Sequence, residues 1–438
     1  MRWTQAGLPS SPCSFALTGR AGFEPVNINL QRWLDRWVGI ALCAAVSAID
    51  AITSRIRPTP ANADTAPRAI VIILLSEMGS LVLAHDMFTR LKTRYPNTQL
   101  HALLFGKNRE ILDLMRVIDP ANVHTVDDTS LGGLLRSLWK AIGDLRRANV
   151  DVAIDCELFS RISSLLSYAS GAAVRVGFHR HTQEGLYRGS HINRPVPYNP
   201  YRHISAQFLT LARAIDSTVS PKSKLPVVVT NKAPPHVQLD ATLIDGIGER
   251  LAVDFPAIAG KPLVLVYPGG GILPIRAWPL ASYTTLCEGL VADGCAVAVI
   301  GLKDDQALAR ELVASVNRTH PASAVIDLTG YTRSIAELLA LFHVARLLVT
   351  NDGGPGQFAA LTPIWTLMLF GPETPSLYAP LTPRCYSFYS SWPCSPCLTA
   401  YNHRSSYCDG DNQCLKVIAP ADVLAKSREC LAENLASA

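Results

Sequence analysis

The sequence has no dense run of lysine and arginine and no basic stretch interleaved with aromatics, which argues against nucleic-acid binding. Charged residues make up only 17% of the chain and apolar residues 48%, so extended disorder is excluded and large cores can be buried. Cysteine is sparse for a disulfide-built secreted scaffold: eleven in 438 residues, scattered apart from four near the C-terminus. That usage reads as a reducing compartment with mostly free, buried thiols. Neither glycine-rich loop of the C-terminal half is G-x-x-x-x-G-K-[ST], which excludes a P-loop. None follows the first strand as G-x-G-x-x-G, which disfavours dinucleotide oxidoreduction. No short internal repeat is present. The net charge of +5 and pI near 8.6 suit a protein that handles anionic ligands or lies on an anionic membrane.

Residues 1–29 lack periodicity and read as a disordered arm or as residues upstream of the true start. Residues 30–57 read as a membrane-associating helix. Its uncharged run, residues 37–49, is thirteen residues long. As a helix that run is about 20 Å, short of the roughly 30 Å hydrocarbon core. A full span would drag Asp50 or Arg36 inward. A peripheral or monotopic helix with Trp33 and Trp37 at the headgroups fits better. The other reading is a helix packed on the soluble body. Residues 58–67 (PTPANADTAP) are a linker by composition.

Alternating strand and helix patterns follow. Apolar runs at 69–75, 100–105, 123–126, 150–155 and 174–178 read as buried strands, with helices at 81–95, 131–148, 159–170 and 203–214. These assign a first Rossmann-like domain to 68–218. Residues 219–261, Pro-rich at their start, read as an interdomain connection. A second alternation opens at 262. Strands are expected at 263–267, 296–300, 324–328, 347–350 and 365–370, the last of the series, with a capping box at Ser334 and Glu337. This gives a second Rossmann-like domain at 262–415 with a Cys-rich loop, and a C-terminal helix at 416–438. The fold class is α/β: two doubly wound halves facing a cleft, with an N-terminal hydrophobic helix.

In open α/β sheets ligands bind beyond the carboxyl ends of the strands. Gly269, Gly270 and Gly271 follow one expected strand and let the backbone approach an anion closely. Arg276 lies just beyond and suits a bidentate pair with phosphate. Asp352, Gly353, Gly354 and Gln357 follow another strand and open a helix, the usual anion site. Either loop alone is also explained as a tight turn; two in one domain favour a diphosphate. In the first half, Ser76 and Glu77 follow the first strand. Glu157 and Arg161 follow another, near Asp155, which reads as structural. Glu184 and Arg188 sit in a glycine-flanked loop. Glu77 and Glu157 are the candidate general bases, with helix capping the competing explanation. Ser76, Arg161, Glu184 and Arg188 are the candidate acceptor contacts.

Several stretches together resemble glycosyltransferase family 9, the heptosyltransferase family. They are YPGGG…RAWPLASY from Tyr267, Asp327-Leu328-Thr329-Gly330, TNDGGPGQFAA (350–360) and Phe370-Gly371-Pro372-Glu373-Thr374-Pro375, with LLSEMGSLVLA (74–84) resembling the family's first strand and helix. The resemblance covers roughly residues 68–425. ELFSR (157–161) and EGLYRG (184–189) resemble a membrane-associated branch. The resemblance implies a GT-B fold and inverting transfer from a nucleotide-diphosphate sugar to a lipopolysaccharide-type or other envelope glycan, with no obligatory metal. It implies donor-site roles for Gly270, Arg276, Asp352, Gly353, Gly354 and Glu373, and a place at the cytoplasmic face of the bacterial inner membrane. Two positions depart from it. Ser80 stands where the family usually has its presumed catalytic Asp, and Gln357 replaces a frequent His. Arg276 replaces a frequent Lys and keeps the charge. The alternative function is a non-catalytic sugar-nucleotide or glycan-binding protein on the same scaffold, with a sugar-nucleotide epimerase as a third reading.

Cys394, Cys397, Cys408 and Cys414 are spaced C-x2-C-x10-C-x5-C. Four thiols with a leading C-x-x-C suit a structural Zn²⁺, with His403 as a substitute ligand. Two disulfides and free thiols are the other readings.

Overall fold

The computed structural model describes residues 28–56, 66–75, 77–179, 187–227, 233–320, 325–402 and 405–436. The chain enters through α1 (Ile28–Ile56). The first lobe then runs β1 (Ala69–Ile73), α2 (Met78–Leu83), α3 (His85–Arg94), β2 (Gln99–Phe105), α4 (Arg109–Met115), β3 (Val123–Val126) and α5 (Leu131–Arg147). It continues through β4 (Val152–Asp155), α6 (Arg161–Ala169), β5 (Val174–Phe178), β6 (Arg194–Val196) and α7 (Ile204–Ala214). The second lobe runs α8 (Ala241–Asp254), β7 (Leu263–Tyr267), α9 (Leu280–Ala292), β8 (Ala296–Gly301), α10 (Gln306–Val316), β9 (Val325–Thr329), α11 (Ile335–Val344) and β10 (Leu347–Asn351). It ends with α12 (Gly354–Ala359), β11 (Trp365–Phe370), α13 (Pro375–Tyr378), β12 (Cys385–Tyr389), α14 (Gln413–Lys416) and α15 (Pro420–Ala436).

Both sheets are six-stranded and parallel throughout. Their orders are β3-β2-β1-β4-β5-β6 and β12-β11-β10-β7-β8-β9. Counted within each lobe, both read 3-2-1-4-5-6, the doubly wound order. Strands such as AIVII (β1) and LVLVY (β7) are buried along their whole length because helices cover both faces, and this is why they read as unbroken apolar runs.

Several expectations are corrected. The helix expected at 81–95 is two helices meeting at Ala84. Residues 241–254, expected within the connection, form α8, which packs on α11 of the second lobe. Residues 194–196 add an edge strand, and β12 lies beyond the strand expected to be the last. Ser334 accepts from Glu337 N at 3.1 Å, but the Glu337 carboxylate reaches Arg333 N instead of closing the box.

The N-terminal helix is docked. Gly39, Cys43 and Ser47 form the seam against α6 and the residues before β6, and a Cβ on Gly39 would sit 2.9 Å from Arg161 Cβ. Asp35 caps α6, accepting from Arg161 N at 2.8 Å and Ile162 N at 3.0 Å. Asp50 accepts from Arg175 Nη2 at 2.7 Å. Ser47 Oγ lies 3.3 Å from His191 Nδ1. Asp50, which a full membrane span would drag inward, and Asp35, next to Arg36, are thus both ion-paired to the first lobe. Between residues 36 and 55 most of the other side chains of α1 are exposed.

Candidate functional site

In a 3-2-1-4-5-6 sheet the crevice opens between the first and fourth strands, where neighbouring connections leave in opposite directions. In the second lobe these are β7 and β10, followed by Tyr267–Gly271 and Asn351–Gly354. Asn351 ties the two ends together. Its buried Nδ2 donates to the carbonyls of Tyr267 (3.3 Å), Pro268 (3.1 Å) and Gly269 (2.9 Å). Its Oδ1 accepts from Trp278 N at 3.0 Å. Sequence reasoning passed over Asn351 as a site residue, although a carboxamide directly after a strand and before Asp-Gly-Gly was the available signal. Gly270 is required sterically: a Cβ there would lie 2.7 Å from Leu273 O and 2.7 Å from Pro274 Cα.

Three expected residues converge at this crevice. Arg276 Nη2 donates to Glu373 Oε1 at 2.8 Å, and Arg276 Nε stands 3.4 Å from Asp352 Oδ2. Arg276 is held on the short turn after the triglycine, Asp352 follows β10, and Glu373 follows β11. Arg276 Nε and Asp352 Oδ2 are buried, and neither completes a hydrogen bond among the described residues. Burial pushes the Glu373 carboxyl up to about 8, with Arg276 acting downward and Asp352 upward. Burial also raises Asp352, against the pull of Arg276. Two carboxylates around one guanidinium leave a desolvated site whose protonation responds to any further anion.

Gln357 sits at the first turn of α12, but its amide donates to Tyr378 O at 2.7 Å. Its Cγ meets the first lobe: a Cβ on Gly79 would lie 2.9 Å from it. Gln357 is therefore a lobe-to-lobe contact. That contact brings the start of α2, with Glu77, against the glycine-rich start of α12. Phe159, stacked on Tyr401 at 5.6 Å between centroids, joins the lobes a second time.

In the first lobe the crevice lies between β1 and β4. Here Glu157 plays the part of Asn351: its Oε1 accepts from Leu75 N at 2.6 Å and so bridges the two strand ends. Glu77 precedes α2 without capping it, and its Oε2 accepts from Ser80 Oγ at 2.8 Å. The Ser80 hydroxyl thus orients a carboxylate at the position where it cannot itself be a base.

Two expected acceptor contacts are corrected. Arg188 is fully buried and ion-paired with fully buried Asp155. It also donates to Ser160 O at 2.8 Å and Phe178 O at 2.8 Å. Arg161, 3% exposed, lies under α1 beside Asp35. Neither guanidinium faces the cleft: Arg188 compensates the fully buried Asp155, and Arg161 pairs with the partly exposed Asp35. Burial, opposed by Arg188, pushes Asp155 up to about 6. Arg188→Ala is expected to cost about 3–5 kcal/mol by stranding that carboxylate. Urea unfolding checks this; an unchanged midpoint with a raised acceptor KM would restore the contact role. Ser76, Glu184 and His403 lie outside the described residues.

The four C-terminal cysteines are gathered around buried Cys414. Burial first, then the neighbouring thiols Cys397, Cys394 and Cys408, push its thiol up to about 11. Cys397 Sγ accepts from Ser406 Oγ at 3.1 Å, and Cys394 is exposed. Among the described residues no three His, Cys, Asp or Glu side chains converge as a metal-ligand set. As placed, these thiols do not fit a tetrahedral ion.

Residues 136–407 match the family model of glycosyltransferase family 9 (heptosyltransferase). The lipooligosaccharide heptosyltransferase 2 of Haemophilus ducreyi is 27% identical over 318 residues, covering 72% of this chain and 86% of that protein. The lipopolysaccharide heptosyltransferase 2 of Salmonella typhimurium is 23% identical over 83% of this chain and 99% of its own length. Among solved structures, Escherichia coli ADP-heptose lipopolysaccharide heptosyltransferase II superposes with a TM-score of 0.64 at 20% identity, covering 84% of this chain and 99% of that one.

Proposed function

The chain belongs to glycosyltransferase family 9, and on that premise we propose that it transfers a heptose from ADP-heptose to a lipopolysaccharide-type acceptor with inversion at the anomeric carbon. The observation that carries this reading is the buried Arg276–Asp352–Glu373 cluster at the β7/β10 crevice, opposite Glu77. Both the donor and the acceptor class follow the names of the relatives. The test is a thermal-shift and calorimetric panel of ADP, UDP, GDP and their sugars on the full chain. ADP and ADP-heptose are expected to stabilise it, by about 2.7 kcal/mol at a hundredfold excess over Kd. If no nucleoside diphosphate on the panel stabilises the chain, the reading fails.

The acceptor hydroxyl attacks the anomeric carbon, and Glu77 takes its proton. The bond from that carbon to the diphosphate oxygen breaks as the new glycosidic bond forms. Arg276 and the backbone N–H groups of the two glycine loops hold the charge that develops on the departing diphosphate. Glu157, occupied by Leu75 N, positions the loop that carries Glu77. Ser80, which departs from the family pattern, supplies the hydrogen bond that aims Glu77. This supports an enzyme over a non-catalytic binder.

Glu373 makes donor affinity depend on pH. Its carboxyl is raised to about 8, so it is mostly protonated at pH 7 and ionises through pH 8. Ionisation places a second negative charge beside the diphosphate. ADP affinity is therefore expected to fall as pH rises from 7 to 9, and Glu373→Gln to flatten that fall. Calorimetry across this range decides; a flat wild-type profile would contradict the assignment.

The exposed apolar side chains of α1, including Trp37 and Ile52, support a monotopic seat on the cytoplasmic face of the inner membrane. Residues 35–55 are long and apolar enough to cross a bilayer by length and composition. The pairs Asp35–Arg161 and Asp50–Arg175 favour a helix lying along the lobe.

A further inference from the structure

The helix α5 carries an outward stripe that the fold does not use. Leu131, Leu135 and Trp139 are spaced i, i+4, i+8 and are 62%, 52% and 76% exposed. The adjoining side of α5, about a quarter-turn away, already meets the core, with Ala141 and Leu145 buried among β1, β2 and α6. A single exposed leucine needs no explanation, but a contiguous apolar stripe on a solvent-facing helix does. The stripe is flanked by exposed cations, Arg136 and Lys140, with Arg146 and Arg147 at the end of the helix. The sole acid on α5, Asp144, accepts from Arg147 at 2.6 Å. An aromatic and leucines set among unopposed cations are the makeup of a helix lying at an anionic lipid interface.

Its place in the fold strengthens this. α5 and α6 cover the same face of the first sheet, and Arg146 Nε donates to Ala169 O at 2.8 Å, joining their ends. α1 packs on α6 and covers the Arg175 side of β5, so α5, α6 and α1 form one layer. Exposed large apolar side chains occur on all three of these helices, with Ile162 of α6 between the other two. The helices on the opposite face of that sheet, α3 and α7, contribute none.

We propose that α5 is a second membrane-contacting element: Leu131, Leu135 and Trp139 enter an anionic phospholipid surface while Arg136 and Lys140 pair with its headgroups. Together with α1 it gives the first lobe a two-helix footprint, which fixes the lobe's orientation on the bilayer as one helix alone would not. The inference extends the membrane reading of α1 and rests on it.

The test is flotation of the full chain with vesicles of phosphatidylglycerol and phosphatidylethanolamine, and with pure phosphatidylcholine. Leu135→Ser with Trp139→Ser should lower partition into the anionic vesicles about tenfold. Arg136→Glu with Lys140→Glu should do the same there at low salt and change nothing on phosphatidylcholine. ADP binding by each variant should match the wild type, which shows that it is folded. In a separate readout, brominated lipid should quench wild-type tryptophan fluorescence more than that of Trp139→Phe. If the α5 variants float like the wild type while Ile49→Ser with Ile52→Ser detaches, the proposal for α5 is overturned and α1 stands. If the wild type itself stays unbound, both go. If Leu135→Ser with Trp139→Ser changes the oligomeric state in light scattering without vesicles, the stripe joins copies of the chain and the proposal is overturned.

Discussion

Arg276→Ala should reduce ADP affinity and kcat/KM together, by about 10²–10³-fold. The reason is electrostatic. Arg276 is the cation that the structure places between the buried carboxyls of Asp352 and Glu373. Without it a diphosphate would enter a desolvated pocket holding two acids. Arg276→Lys should recover part of the loss, because a lysine keeps the charge but cannot reach both Glu373 and a phosphate with a planar fork. Calorimetry with ADP and steady-state kinetics separate the contributions. An Arg276→Ala protein that still binds ADP like the wild type would remove the diphosphate from this crevice.

Glu77→Gln should lower kcat by about 10²–10⁴-fold while leaving ADP affinity nearly unchanged. The amide keeps the shape, and through its carbonyl it keeps an acceptor for the Ser80 hydroxyl, but it cannot take a proton. Glu157→Gln should behave differently. Its carbonyl oxygen can still accept from Leu75 N, so the loop stays seated and kcat falls far less, whereas Glu157→Ala releases the loop. Equal losses of kcat in Glu77→Gln and Glu157→Gln would leave the base unassigned between them. A loss in Glu157→Gln alone would transfer the role. Ser80→Ala is a useful companion: a shift in the acid limb of the pH–rate profile, beyond a drop in rate, would show that the Ser80 hydroxyl acts through Glu77.

The division between what could be read from the chain and what could not follows the range of the forces involved. The strands other than the edge strands β6 (RPV) and β12 (CYSFY) were legible because each is a short apolar run bounded by glycine, proline or polar residues, a pattern fixed within ten positions. The two anion loops were legible for the same reason: glycines directly after a strand and at the start of a helix are local chemistry. So was Ser334, whose cap is complete within three residues. Arg161 and Arg188 were misread because the sequence shows a charge but not its depth. Whether a guanidinium faces a ligand or neutralises a buried acid depends on partners set by the fold, such as Asp155, 33 positions from Arg188. Asn351 was overlooked because its three acceptors are backbone carbonyls at and just beyond the end of another strand. The N-terminal helix combines both cases. Its apolar run and flanking charges are plain, but that Asp50 pairs with Arg175, 125 positions away, is set only by the fold. The sequence by itself thus determined the strands other than the edge strands β6 and β12, the two anion loops and the family. The tertiary structure alone decided which charges are buried together, since desolvation and long-range pairing exist only once the chain has folded.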